Sequence, residues 1–177
     1  VTYLPVDSDG LVTPEQLEAA IRPDTVLVSI MYANNEVGTI EPIGELAAVA
    51  KAHGVLFHTD AVQAIGHVPI DVKAQGIDML SMSGHKFHAP KGIGALYVRK
   101  GVHIQRLMQG GAQERGQRPG TENLAGIVGI GKAIELATAD VEDRAAKMAA
   151  IRDHMIERIM KEIPHVQLNG HPTKRMC

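Results

Sequence analysis

A lysine at the end of an apolar segment is the strongest indication of chemistry in this sequence. Ile77 to Met82 is predicted to form a buried strand, and Ser83-Gly84-His85-Lys86 follows it directly. The carboxyl ends of strands in an α/β sheet border the crevice where such sheets bind ligands. A partly desolvated lysine amine there can lose its proton and attack a carbonyl to give a Schiff base. The alternative is a solvated lysine that merely caps the strand.

Two other predicted strands end in polar side chains at the same edge. Asn34-Asn35-Glu36 follows the segment that ends at Tyr32, and His58-Thr59-Asp60 follows Val55 to Phe57, with Gln63 one turn later. Pyridoxal phosphate enzymes need an aspartate at the pyridinium nitrogen, which Asp60 could supply. Asn35 or Gln63 could donate a hydrogen bond to the phenolic oxygen of the cofactor. These neighbours favour the chemical interpretation of Lys86.

Three residues are candidates for binding a phosphate group. Ser83 carries a hydroxyl and His85 a titratable ring beside Lys86. Thr121 ends the glycine-rich segment 110–121 and precedes a predicted helix, whose free backbone amides bind anions readily. Thr121 could also be an ordinary helix N-cap.

Two other interpretations of the polar residues are less favourable. His58 and Asp60 share a strand face and could bind a metal with His85 or His88, but a lysine within the cluster would repel the cation. We therefore expect no metal. Asn34 and Asn35 could simply form a turn.

Composition limits the classes of partner. Lys and Arg number 18 and Asp and Glu 20, so a formal charge of −2 provides no attraction for nucleic acid or an anionic membrane. Cys177 is the single cysteine, no secretory signal is visible, and no apolar run approaches the roughly 20 residues that span a bilayer. These features favour a cytoplasmic protein without nucleic-acid or membrane partners.

Predicted strands alternate with predicted helices. The strands are Val1–Val6, Thr25–Ile30, Val55–His58, Ile77–Met82 and Ile93–Val98, and the helices are Thr13–Ile21, Pro42–His53, Asn123–Thr138 and Asp140–Lys161. Strands of continuous apolar character that alternate with helices predict an α/β fold, a mostly parallel sheet covered on both faces in three layers.

The carboxyl-terminal third predicts a change of domain. We expect residues 1–138 to form a large domain, residues 139–163 an interdomain helix, and residues 164–177 the start of a small domain, with Val166–Gly170 as its first strand. From its abrupt beginning and end we expect the sequence to be part of a longer protein.

Four motifs together carry a family resemblance that covers essentially the whole chain: Tyr32–Gly38, His58–Gln63, Ser83–Lys86 and Gln113–Asn123. In this order and spacing they closely resemble the cysteine desulfurases of the NifS/IscS group, within the class V aminotransferases. The resemblance implies the aspartate aminotransferase fold, pyridoxal 5'-phosphate as cofactor, L-cysteine as substrate and a homodimer. It also implies sulfur transfer from cysteine to an enzyme persulfide, release of alanine, and sulfur-acceptor or scaffold proteins in iron-sulfur cluster assembly or thiolation.

The family's residue roles transfer to matching positions. Lys86 matches the lysine that holds the cofactor and moves the α-proton, and Asp60 matches the partner of the pyridine nitrogen. Gln63 and Asn35 match donors near the phenolic oxygen. Ser83, His85 and Thr121 match phosphate ligands. The family's threonine at the position of Thr121 reaches the phosphate in the neighbouring subunit.

Other family elements are expected outside this sequence. The resemblance implies a cofactor-stacking histidine before Val1 and a nucleophilic cysteine in a mobile loop beyond Cys177, which itself is expected to be incidental. We therefore expect the 177-residue chain alone to be inactive, and alanine release from cysteine would contradict this. Selenocysteine lyase and a non-catalytic scaffold that keeps the fold are the alternatives.

Overall fold

Helices and strands alternate in the first part of the computed structural model, which describes residues 1–177, and three consecutive strands then precede the last two helices. Four helices, α1 to α4, and four strands, β1 to β4, are joined by loops and two short 3-10 turns. In chain order the elements are α1 (Pro14–Ala20), β1 (Leu27–Met31), α2 (Ile43–Ala52), β2 (Leu56–Asp60), β3 (Met79–Ser83), the turn Gly84–Phe87, β4 (Gly94–Val98), the turn Glu114–Gly116, α3 (Leu124–Ala139) and α4 (Val141–Glu162).

The strands form one sheet in the order β1-β2-β3-β4. The first three strands are parallel, whereas β4 runs antiparallel to β3. In the register, Asp60 lies opposite Met31 on one side and Ser81 on the other. The carboxyl ends of β1, β2 and β3 therefore meet at one edge, and the prediction of an α/β fold with a mostly parallel sheet is confirmed.

Local sequence explains where α1 begins and where α2 ends. Thr13 accepts a hydrogen bond from the backbone of Gln16, whose side chain in turn accepts from the Thr13 amide, and Pro14 occupies the first helical position. Gly54, at φ +69°, follows the end of α2 in the left-handed conformation that glycine tolerates best. Both boundaries agree with the sequence prediction.

The core lies on one face of the sheet. Helix α2 packs on β2. Its residues Leu46 and Ala50 are completely buried in a hydrophobic core that includes Phe57 and Leu80. Burial alternates along β2, where Phe57 and Thr59 are buried but their neighbours are not, whereas Met79 and Leu80 of β3 are both buried. β1 and β2 are therefore not the continuous buried runs expected for a sheet covered equally on both faces.

Two predicted strands are wrong. Val1–Val6 does not form a β-strand, because no other strand lies beside it to pair with its backbone groups. Val166–Gly170 is also irregular. The segment that follows it returns to the amino-terminal half, where Lys174 accepts from Ile40 at 2.9 Å and Met176 donates to Gly38 at 2.8 Å.

Helix α4 is long and largely exposed. Its 22 residues correspond to about 33 Å at 1.5 Å per residue. Met148, Ile151 and Met155 form an apolar stripe that faces solvent. No helix in the structure combines the length and apolarity needed to cross a membrane.

Candidate active site

The ends of β1, β2 and β3 are aligned by backbone hydrogen bonds. Tyr32 donates to the carbonyl of Asp60 at 2.8 Å, and Ala61 donates to the carbonyl of Ser81 at 3.0 Å. Each bond extends the parallel ladder to the residue directly after a strand. The segments that follow the three strands therefore start side by side.

Lys86 lies in the 3-10 turn directly after β3. Gly84 donates to the carbonyl of Ile93 at 2.9 Å and accepts from Ala89 at 3.0 Å, so both ends of the turn are tied down. Phe87 is buried in the core, whereas Lys86 keeps part of its side chain accessible. The packing of Phe87 therefore anchors a turn that presents the lysine amine at the sheet edge.

Ser83 and His85 form a hydrogen-bonded pair beside this lysine. The Ser83 hydroxyl lies 2.9 Å from Nδ1 of His85. This contact orients the imidazole, and Nε2 remains available to a ligand because His85 is exposed. A hydroxyl and an imidazole N–H are suitable donors to a phosphate oxygen.

Asp60 and Gln63 lie on the turn after β2. One carboxylate oxygen of Asp60 accepts from the Val62 amide at 3.0 Å, which fixes the group, and its other oxygen makes no hydrogen bond within the chain. Ala61 accepts from Ala64 and Ile65, so the chain turns sharply here and Gln63 remains partly exposed.

The two asparagines after β1 have different roles. The Asn34 side chain accepts from the amides of Glu36 at 2.8 Å and Val37 at 3.0 Å, which is an Asx turn. Asn35 is exposed. The turn therefore depends on Asn34, and the Asn35 amide stays accessible near the edge that carries Asp60.

Thr121 differs from the other candidates. It is exposed in the segment between β4 and α3, and no hydrogen bond joins it to the sheet edge. The interpretation of Thr121 as the N-cap of α3 is wrong, because Asn123 caps this helix by accepting from Gly126 at 3.0 Å. An asparagine directly before the helix satisfies the same amides better than a threonine two residues earlier.

The structure adds a hydrogen-bonded row that the sequence did not reveal. His58 bridges Ser29, at 2.8 Å from Nδ1, and Ser81, at 2.9 Å from Nε2. Burial lowers the pKa of His58, and the negative charge of Asp60 opposes this with a smaller effect. The signal in the sequence was a polar residue at the third position of each of the three parallel strands, Ser29, His58 and Ser81.

The metal alternative gains no support from this geometry. Both ring nitrogens of His58 already contact serine hydroxyls. No group of three or more histidine, cysteine, aspartate or glutamate side chains is arranged to bind a metal ion.

The donor set at the edge fits pyridoxal phosphate. The edge offers an amine on Lys86, a carboxylate on Asp60 and an amide on Gln63, which match the carbonyl, the ring nitrogen and the phenolic oxygen of this cofactor. The Ser83 and His85 pair suits the phosphate.

Gly84 allows a test of the Lys86 turn. A Cβ atom at Gly84 would lie 2.9 Å from Cβ of Ala89 and 3.1 Å from the carbonyl oxygen of Ile93. In the full-length protein we expect Gly84→Ala to displace the turn, to cost about 1–3 kcal/mol of unfolding free energy and to weaken cofactor binding. Urea unfolding and a cofactor absorbance titration measure the two effects. Gly131→Ala is the control, since a Cβ there meets nothing within 4 Å; equal behaviour of the two variants would contradict the prediction.

The sheet topology and this set of side chains are those expected of an aminotransferase-type, pyridoxal phosphate-dependent fold. The chain belongs to the aminotransferase class-V family, whose sequence profile matches residues 1–176. Members of this family use pyridoxal phosphate, which agrees with the cofactor inferred from the residues.

Individual relatives show which members of this family the chain is similar to in sequence and in structure. The chain is 61% identical over 177 residues to cysteine desulfurase IscS of Methanosarcina thermophila, covering 100% of this chain and 44% of that protein. A solved NifS-like protein matches with a TM-score of 0.85 and 46% identity, over 90% of this chain and 44% of that one. The structure of SspA in complex with cysteine matches with a TM-score of 0.73 and 49% identity, over 76% and 39% of the two chains. The chain therefore spans less than half the length of the relatives that it matches.

Proposed function

We propose that this chain is the cofactor-binding core of a pyridoxal phosphate-dependent cysteine desulfurase. The observation that carries the proposal is the presence of Lys86 and Asp60 at one edge of the sheet, directly after β3 and at the end of β2. Identity of 61% to a cysteine desulfurase along the whole chain supports the choice of reaction. A solved relative in complex with cysteine supports the choice of substrate.

Each residue of the edge has a role in this proposal. When bound, pyridoxal phosphate supplies an electrophilic carbonyl and a ring that withdraws electrons from the α-carbon of an amino acid. The Lys86 amine is the attachment point and then the base that takes the α-proton. The Asp60 carboxylate holds a proton at the ring nitrogen, and the Asn35 and Gln63 amides donate to the phenolic oxygen.

Phosphate binding completes the proposed site. Ser83 and His85 donate to the phosphate from the turn after β3, supported by their mutual hydrogen bond. Thr121 makes no hydrogen bond to this edge within one chain, and we propose that it serves the site of a second copy in a homodimer. An exposed position on the segment before α3 is compatible with that role.

The proposed reaction converts L-cysteine to L-alanine and transfers the sulfur to an enzyme cysteine as a persulfide. From there the sulfur passes to acceptor or scaffold proteins for iron-sulfur cluster assembly or thiolation. We propose a cytoplasmic location, since low cysteine usage is typical of reducing compartments. We also propose the division into residues 1–138, 139–163 and 164–177, which the length and exposure of α4 support.

Selenocysteine lyase is the second candidate, because the same edge would activate selenocysteine equally well. The experiment is to supply the full-length protein with pyridoxal phosphate and to measure alanine release from cysteine and from selenocysteine. We expect a cofactor absorbance band and alanine from cysteine. Alanine from selenocysteine alone would favour the lyase, and a protein with neither band nor product would leave the scaffold as the better assignment.

A further inference from the structure

The hydrogen-bonded row Ser29-His58-Ser81 lies beneath the proposed cofactor edge. It crosses three neighbouring strands, with His58 on β2 between Ser29 on β1 and Ser81 on β3. Both ring nitrogens of the imidazole are engaged, at 2.8 Å and 2.9 Å. His58 and Asp60 are two residues apart on one strand, so their side chains leave the same face of the sheet.

The row is linked to Asp60 from both sides. The Cα atom of Asp60 is in register with Ser81, and the Ser81 carbonyl accepts from Ala61, the residue directly after Asp60. On the other side, Tyr32 of the segment after β1 donates to the Asp60 carbonyl. The His58 contacts therefore fix β2 against both neighbours at the residues immediately below the carboxylate.

His58 and Asp60 are the only charged or basic side chains of the four strands. β1, β3 and β4 carry none, and Tyr97 is the other ionisable group. Asp60 is also the charged group whose field raises the pKa of His58, against the larger effect of burial. A cationic imidazole here would attract the carboxylate away from a ligand, whereas a neutral one leaves the full negative charge available.

A purely structural role explains this arrangement less well. The opposite face of the same strands is held by apolar side chains such as Val28, Phe57 and Leu80. An apolar residue at position 58 could also fill the space, without the cost of burying a polar ring. Two serines placed to satisfy both nitrogens indicate that the orientation of the imidazole itself matters.

Resting on the proposed function, we propose that His58 is a positioning residue: a neutral imidazole, clamped by Ser29 and Ser81, holds Asp60 in place and leaves its carboxylate free for the ring nitrogen of the cofactor. His58 does not need to touch the cofactor for this role. It acts on the reaction through the place and the charge of Asp60.

The test uses the full-length protein and three measurements: the dissociation constant of pyridoxal phosphate, the pH midpoint of the bound cofactor's absorbance band, and the thermal midpoint. For His58→Phe we expect binding about tenfold weaker, the equivalent of one or two lost hydrogen bonds. We also expect the pH midpoint to move by about half a unit or more. His58→Gln keeps an amide near the Nε2 position and should recover most of both effects.

Matched variants separate positioning from folding. Thr13→Ala removes the N-cap of α1, which contributes no candidate site residue, and should lower the thermal midpoint without changing affinity or pH midpoint. If His58→Phe does not fold, Ser29→Ala and Ser81→Ala each remove one contact and should weaken binding about threefold. Wild-type affinity and pH midpoint in His58→Phe, or in both serine variants, would overturn the inference.

Two further outcomes are decisive. In the cofactor-free protein, the ¹⁵N chemical shifts of the His58 ring should report a neutral imidazole at neutral pH, and a cationic ring would overturn the inference independently of cofactor binding. A wild-type protein that shows no cofactor band would overturn both this inference and the proposed function. A normal wild type with unaffected His58 and serine variants would overturn the inference alone.

Discussion

In the full-length protein, Lys86→Ala should lose the covalently bound cofactor and at least about 10³-fold of its alanine-forming rate, the upper part of the range for loss of a positioned base. The physical reason is that the amine has two roles, as the nucleophile that attaches the cofactor and as the base for the α-proton. No other lysine lies in the 3-10 turn after β3 or in the turn after β2. Borohydride reduction followed by peptide mass mapping measures attachment, and alanine release measures turnover.

Two controls separate the lysine chemistry from its charge. Lys86→Arg keeps a cation in the turn, but its guanidinium stays protonated and cannot act as nucleophile or base. We therefore expect this variant to be as inactive as Lys86→Ala. Lys51→Ala removes an exposed lysine from the last turn of α2 and should leave both measurements at the wild-type level. A reduced cofactor found on any other lysine, or turnover retained in Lys86→Ala, would contradict the assignment.

Asp60→Asn should reduce turnover about 10² to 10³-fold, the range seen when one preorganised electrostatic group is removed. Asparagine keeps the shape of the side chain, and its amide oxygen can still accept from Val62 as Asp60 does at 3.0 Å. The substitution therefore removes mainly the negative charge opposite the ring nitrogen. Exchange of the α-proton in deuterated water, followed by NMR, measures the step that this charge assists.

A cofactor analogue provides a sharper test of the same role. In Asp60→Ala, pyridoxal phosphate methylated at the ring nitrogen carries a permanent positive charge there and should restore part of the exchange rate. Asp143→Asn on α4 is the charge control, since this exposed pair with Lys147 contributes little. If the analogue gave no rescue and Asp60→Asn exchanged the α-proton at the wild-type rate, the assignment of Asp60 to the ring nitrogen would be contradicted.

The candidate site was accessible from sequence because its residues lie in short motifs next to strongly apolar strands. Asp60 comes three residues after a buried phenylalanine, and Lys86 comes shortly after an apolar run that begins with Ile77. Parallel strands bring their carboxyl ends to one edge whatever their exact boundaries. The main α/β pattern of the fold followed from the same apolar periodicity.

Features that depend on residues distant in sequence were less predictable. Strand formation at Val1–Val6 requires a neighbouring strand to pair with, and local apolar character does not report whether one is present. The choice between Thr121 and Asn123 as helix cap depends on where the chain enters α3, which the composition of the loop does not specify. The cap of α3 and the absence of a strand at Val1–Val6 therefore needed the folded chain, whereas the cap of α1 at Thr13 did not.

Residue types and spacing alone identified Lys86, Asp60, Gln63 and the Ser83 and His85 pair as candidates, because the chemistry of an amine, a carboxylate and an amide is a property of the side chain itself. Tertiary structure decided which of two adjacent asparagines remains free and that His58 is held by Ser29 and Ser81. Along the chain, His58 lies 29 residues after Ser29 and 23 residues before Ser81. The three residues meet only through the register of three parallel strands, and register results from packing of the whole sheet and not from any local run of residues.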